Sequence, residues 1–147
     1  MKQEGFIDGI VCLNYDGLLQ KAGCPQEAVL EVHGSWFDPS NPVLKPGGQM
    51  RPDIWQKALE LQQRADLCVV IGTSLSGLET DIIAERASSS CLLGLVIVGL
   101  QQTRLDGGAV MRISAEADNV MERLATALRL RFGVPKVLIK WFCPIYV

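Results

Sequence analysis

His33 is the only histidine in the 147 residues, and histidine is the residue type most often used as a general acid or base. It follows the apolar run "AVLEV" and precedes Gly34, a setting suited to a general base at a sheet rim. A hydrogen-bonded loop histidine fits the same pattern. Asn14 and Asp16 follow a second apolar run, "GIVCL", within "NYDG". Their side chains suit an amide or ribose hydroxyls, or an Asx turn that closes the strand. A third cluster ends "CVVIGTSLS". Gly72 lets a backbone approach a ligand closely. Thr73 and Ser74 offer hydroxyls and N–H groups to a phosphate or ribose, or else cap a turn. No GxGxxG and no Walker A sequence is present. No cysteine adjoins His33 in a recognisable motif, so thiol nucleophile chemistry has no support, and a lone histidine builds no histidine-rich metal centre.

These clusters need elements to carry them. Apolar runs at 9–13, 28–32, 67–71 and 92–98 read as buried strands, with a short edge strand at 111–113. Leu18, Leu19 and Ala22 begin a short helix that Gly23 and Pro25 stop. Pro52 suits the first position of a helix running to about Arg64, with Ile54, Ala58 and Leu61 on its apolar face and Trp55 and Leu59 beside it. A further helix is expected from about Thr80 to Ala87, interrupted by serines 88–90. A last one, capped by Ser114, carries the stripe Ala117, Val120, Met121, Leu124 and Leu128. Residues 36–50 hold three prolines and two glycines and read as an extended loop.

Apolar strands alternating with amphipathic helices predict an α/β fold, a partial Rossmann-like parallel sheet with helices on both faces. Sites in such sheets form beyond the carboxyl ends of the strands. The clusters at 14–16, 33 and 72–74 all fall there. One such core is expected over residues 1–131. Residues 132–147 form an apolar tail, with Val137, Leu138, Ile139, Trp141 and Phe142 crowded together. It is expected to add a strand or to dock on another protein.

Hydrophobic residues make up 48% of the chain and charged residues 20%, with a net charge of −2. Those values favour a folded core over disorder and give no general affinity for nucleic acid or anionic membrane. The five cysteines include no C-x-x-C pair, and their odd number fits an intracellular, reducing compartment. Cys12 and Cys68 sit inside apolar runs and read as core thiols. No segment approaches the ~20 apolar residues that span a bilayer.

Taken in order, "CLNYDGLLQKAG", "EVHGS", "GGQMRPDI", "ADLCVVIGTSL" and "LVIVGLQQT" resemble the successive motifs of the sirtuins, the NAD-dependent protein lysine deacylases. The resemblance covers residues 9 to about 128. It implies that His33 is the base acting on the NAD ribose, that Asn14 is catalytic and binds cofactor, and that Asp16, Gly72, Thr73, Ser74 and Gly99 line the NAD site. The family pattern also has parts without a counterpart here. The glycine-rich GAGxS turn is missing, as is the IPDFR loop. The segment between His33 and Arg51 is too short for the zinc module and contains no cysteine. The FGE segment is replaced by "WQKALEL". Leu13 and Leu19 stand where the family has glutamine and histidine, and Gly99 stands where it has the adenosine-side asparagine. The expectation is therefore a sirtuin-like domain with weak NAD binding, no metal ligands and no zinc, its deacylation weak or lost. The alternative is a catalytically inactive structural or interaction subunit. A protein partner is expected through the tail or the exposed sheet, and an acyl-lysine protein substrate only if activity survives. No nucleic acid or membrane is expected.

Overall fold

The computed structural model describes residues 5–45, 47–77 and 79–130. The tail expected to add a strand or to dock lies outside them. Among the described residues, five short strands and four α-helices follow one another, with an α-helix after every strand except the fourth. β1 (Ile10–Cys12) leads through α1 (Leu18–Lys21) to β2 (Val29–Glu31). A long loop then reaches α2 (Pro52–Arg64), β3 (Leu67–Ile71), α3 (Ile82–Ser90) and β4 (Gly94–Val98). β5 (Met111–Ile113) and α4 (Ala117–Ala127) follow.

The strands do not make one sheet. β1 pairs with β2, and β3 pairs with β4, which pairs with β5. Every pairing is parallel. The class is the expected parallel α/β, divided into a two-stranded and a three-stranded sheet. Helices join the two. α2 packs on β2 and on α3, and α3 packs on β3 and β4. Gln62 on α2 donates to the Ser90 hydroxyl on α3 at 2.8 Å. The Asp8–Arg64 ion pair ties the chain just before β1 to the end of α2, close to where the chain enters β3.

Register explains which strand faces are buried. Cys68 lies opposite Leu95, and Val70 opposite Ile97. These residues point to one face, where they pack with Leu75 and Ala84. Leu95 and Ile97 are the largest fully buried side chains among the described residues. Each contributes about 1.5–3 kcal/mol through burial. Leu67, Val69 and Ile71 point the other way and are 39%, 46% and 41% exposed.

Three local expectations are corrected. Serines 88–90 do not break α3; they end it, because their hydroxyls bond back to the carbonyls of Glu85 and Arg86 and leave the helical ladder intact. Ser114 does not cap α4. Glu116 is the N-cap, and no side chain makes a capping bond there. On the same helix Ala125 is buried, whereas Leu124 is 36% exposed.

Candidate functional site

β1 and β2 bring two of the sequence clusters together. Because they are parallel and in register, their carboxyl ends deliver 13–16 and 32–36 to the same rim. His33 Nδ1 lies 3.2 Å from the Leu13 carbonyl oxygen. The backbone N–H of Trp36 donates to the Tyr15 carbonyl at 2.9 Å, and the two rings meet edge to face at 5.0 Å. His33 therefore stands beside the peptide that carries Asn14.

Gly34 makes this arrangement possible. Its φ is +87°, and a Cβ there would collide with the Pro42 carbonyl group. The loop closes over it through Ser35 N–H to Asn41 O and Leu44 N–H to His33 O. Asn41 is buried, and its side-chain amide donates to the Glu31 carbonyl at 2.9 Å. The proline-rich segment is thus anchored beneath the histidine.

Asp16 takes the local role. Its carboxylate accepts the Leu18 N–H at 3.1 Å, at the start of α1. Cys12, two residues before Asn14, donates to the Asn14 carbonyl. Burial pushes its thiol up, helped by the nearby carboxylates of Glu31 and Asp16, and outweighs that bond.

The remaining candidates stand on the other sheet. Gly72, Thr73 and Ser74 follow β3, and Gly99 follows β4. Gly72 has φ +67° with open space around its α-carbon, and its N–H donates to the Val98 carbonyl. Thr73 Oγ1 accepts the Leu75 N–H at 3.4 Å, a turn-closing role. Ser74 is exposed. Gly99 N–H donates to the Ile113 carbonyl at 3.1 Å, so that backbone donor is committed to the sheet.

Sequence reasoning missed the device that shapes the 72–77 loop. Leu75 sits at φ +49°, a conformation uncommon for a side-chain-bearing residue. Arg104, beyond β4, donates from Nε to the Leu75 carbonyl at 2.9 Å and from Nη2 to Asp81 at 3.3 Å, and pairs with Glu85. The Asp81 side chain is 1% exposed, and it also accepts the Gly77 N–H at 2.8 Å. The position of Asp81 just before a helix was a readable signal; nothing local marks Arg104.

A cavity of about 280 Å³ lies between β2, the proline-rich loop and α2, and one of about 330 Å³ lies beside α1 and Phe37. Neither takes in His33, Asn14, Thr73 or Ser74. Among the described residues, no three His, Cys, Asp or Glu gather for a metal ion.

The described residues do not fit the diphosphate of a dinucleotide. Such a group rests on N–H groups at a helix start, where the dipole favours negative charge. The three longer helices carry acids there instead: Asp53 on α2, Asp81 and Glu85 on α3, and Asp118 on α4. Carboxylates thus stand at these helix starts, those of α2 and α3 ion-paired with Arg51 and Arg104.

A parallel α/β core with polar clusters at the carboxyl rim defines the Rossmann-like class. No protein-family model matches the chain. The curated relatives are sirtuins. The sirtuin-7 deacetylase of Bos taurus is 24% identical over 99% of this chain and 47% of its own. An NAD-dependent protein deacylase of Aeropyrum pernix is 27% identical, over 87% and 63%. The chain thus spans about half to two thirds of these relatives. A sirtuin structure concerned with substrate affinity matches with a TM-score of 0.77 at 21% identity, over 88% of this chain and 68% of that one. A Sir2 complex with a p53 peptide and NAD⁺ matches at 0.74 and 23%, over 87% and 66%. In sequence the chain is similar to these sirtuin relatives, and in fold to these Sir2 structures.

Proposed function

We propose that this chain is a sirtuin-like domain whose NAD binding and deacylation are weak or lost, and that it serves as a structural or protein-interaction subunit of a larger assembly. One observation carries the reading: the candidate residues are divided between two sheets that share no strand pairing among the described residues. His33, Asn14 and Asp16 belong to one sheet; Gly72, Thr73, Ser74 and Gly99 belong to the other. Preorganised groups supply most of the stabilisation in catalysis, and a divided rim holds its halves less rigidly. A protein partner docks through the exposed side of the three-stranded sheet or through the tail. The site calls for no zinc, and neither nucleic acid nor membrane is a partner. The four thiols Cys12, Cys24, Cys68 and Cys91 are free, which suits a reducing intracellular compartment.

Calorimetric titration of the full chain with NAD tests the reading. The expected outcome is no saturable heat in the micromolar range. Micromolar binding that weakens at least ~10-fold in His33→Ala, equivalent to about 1.4 kcal/mol, overturns it.

The contact between His33 and the Leu13 carbonyl favours a second reading, an NAD-dependent protein deacylase like its named relatives. In that case acyl-lysine peptide plus NAD yields deacylated product with the native chain and none with His33→Ala. Absence of product with the native chain removes this reading.

A further inference from the structure

Beyond β3 the backbone enters the left-handed region three times in six residues. Gly72, Leu75 and Gly77 have φ of +67°, +49° and +98°. The glycines adopt it freely. A side-chain-bearing residue stays there only where its surroundings hold it. The Leu75 side chain is buried in the cluster with Ala84, Leu95 and Ile97, and its carbonyl accepts from Arg104 Nε at 2.9 Å. The Asp81 carboxylate takes Arg104 Nη2 at 3.3 Å and the Gly77 N–H at 2.8 Å. One guanidinium and one buried carboxylate therefore grip the segment at both Leu75 and Gly77.

A second feature opposes that grip. Thr80 is 5% exposed, and its hydroxyl oxygen has no hydrogen-bond partner among the described residues. A buried polar group left unpaired raises the energy of the state that buries it. Strain at Leu75 and the unpaired Thr80 hydroxyl both favour opening. The Arg104–Asp81 pair and the buried Leu75 side chain resist it. Opposed terms of this kind make a local two-state element. The Gly72 N–H stays on the Val98 carbonyl, at the end of the β3–β4 ladder, so the hinge lies just beyond it.

We propose that residues 73–77 form a latched strap: the Arg104–Asp81 pair holds them closed on the core, and they open as one unit about Gly72 while the β3–β4 ladder stays paired. Arg104 is then the residue that positions Thr73 and Ser74 at the rim. The latch does not depend on whether the chain binds NAD.

Amide hydrogen exchange on the full-length chain tests this. In the native chain the Leu75 and Gly77 amides are expected to be at least ~10-fold less protected than those of 94–98, with a protection that low denaturant leaves unchanged. Arg104→Ala removes the donor to Leu75 and strips the buried Asp81 carboxylate of its guanidinium. It is expected to cut protection of Leu75 and Gly77 by at least ~10-fold while 94–98 stays protected. Thr80→Val removes the unpaired hydroxyl and acts the other way, raising protection of both amides by at least ~3-fold. If Arg104→Ala also exposes 94–98, that variant has unfolded and Thr80→Val decides. Native Leu75 and Gly77 amides that exchange only with 94–98 overturn the proposal. So does an Arg104→Ala chain that keeps their protection, or a Thr80→Val chain that fails to raise it.

Discussion

At the residue scale, Gly34 and Cys68 show how little of a site's support lies in the residues that do chemistry. Gly34→Ala forces a left-handed backbone onto a side-chain-bearing residue, at about 1–2 kcal/mol, and drives a Cβ into the Pro42 backbone. The expected result is a loss of at least that much in denaturant unfolding, with the His33–Leu44 and Ser35–Asn41 backbone bonds opened to exchange. Cys68 reports on the other sheet. Burial pushes its thiol from 9.0 up to about 11, so it is neutral and inert at neutral pH. Iodoacetamide is expected to label Cys24 well before Cys68 in the folded chain. The linked stability change has a definite sign. Between pH 9 and 11 the unfolded thiol ionises and the folded one keeps its proton, so stability falls as pH rises. Relative to Cys68→Ala, the native chain is expected to lose up to about 2–3 kcal/mol across that window. A parallel pH profile for the two proteins contradicts this.

At the element scale, the strands and helices were legible because their periods are strong. The runs LCVVI and MRI became β3 and β5 with the expected limits. Pro52 opened α2, and its exposed positions Gln56, Lys57, Glu60 and Gln63 lie where the 3.6 period puts them. The candidate site was legible in part. His33 and the Asn14 peptide meet because β1 and β2 pair in register. Asp16 and Thr73 turned out to close local turns, an alternative that short polar side chains always offer the backbone. Long-range partners left no local signal: Arg104 reaches across 29 residues to Leu75, and Gln62 is buried on a helix face that its polarity argues against. Nor does pattern reveal whether neighbouring strands share a ladder, which is why one expected sheet became two. The core of β4 gives the prediction at this scale. Ile97→Ala is expected to cost about 2–5 kcal/mol in chemical unfolding. The larger values apply if Leu75 and Ala84 cannot close the space.

At the scale of the whole molecule, the two sheets meet through α2 and α3, with the Gln62–Ser90 bond between the helices, and not through strand pairing among the described residues. Helix packing couples two bodies less stiffly than a continuous ladder, so each can open with its own free energy. Heating should reveal that mechanical looseness as imperfect cooperativity. The calorimetric enthalpy is expected to exceed the van't Hoff value, and Gln62→Ala should widen the gap between them. Equal enthalpies in both proteins would mean that the halves melt as one body. If they differ, the seam between the halves is where a chaperone, a protease or a binding partner first finds the chain ajar.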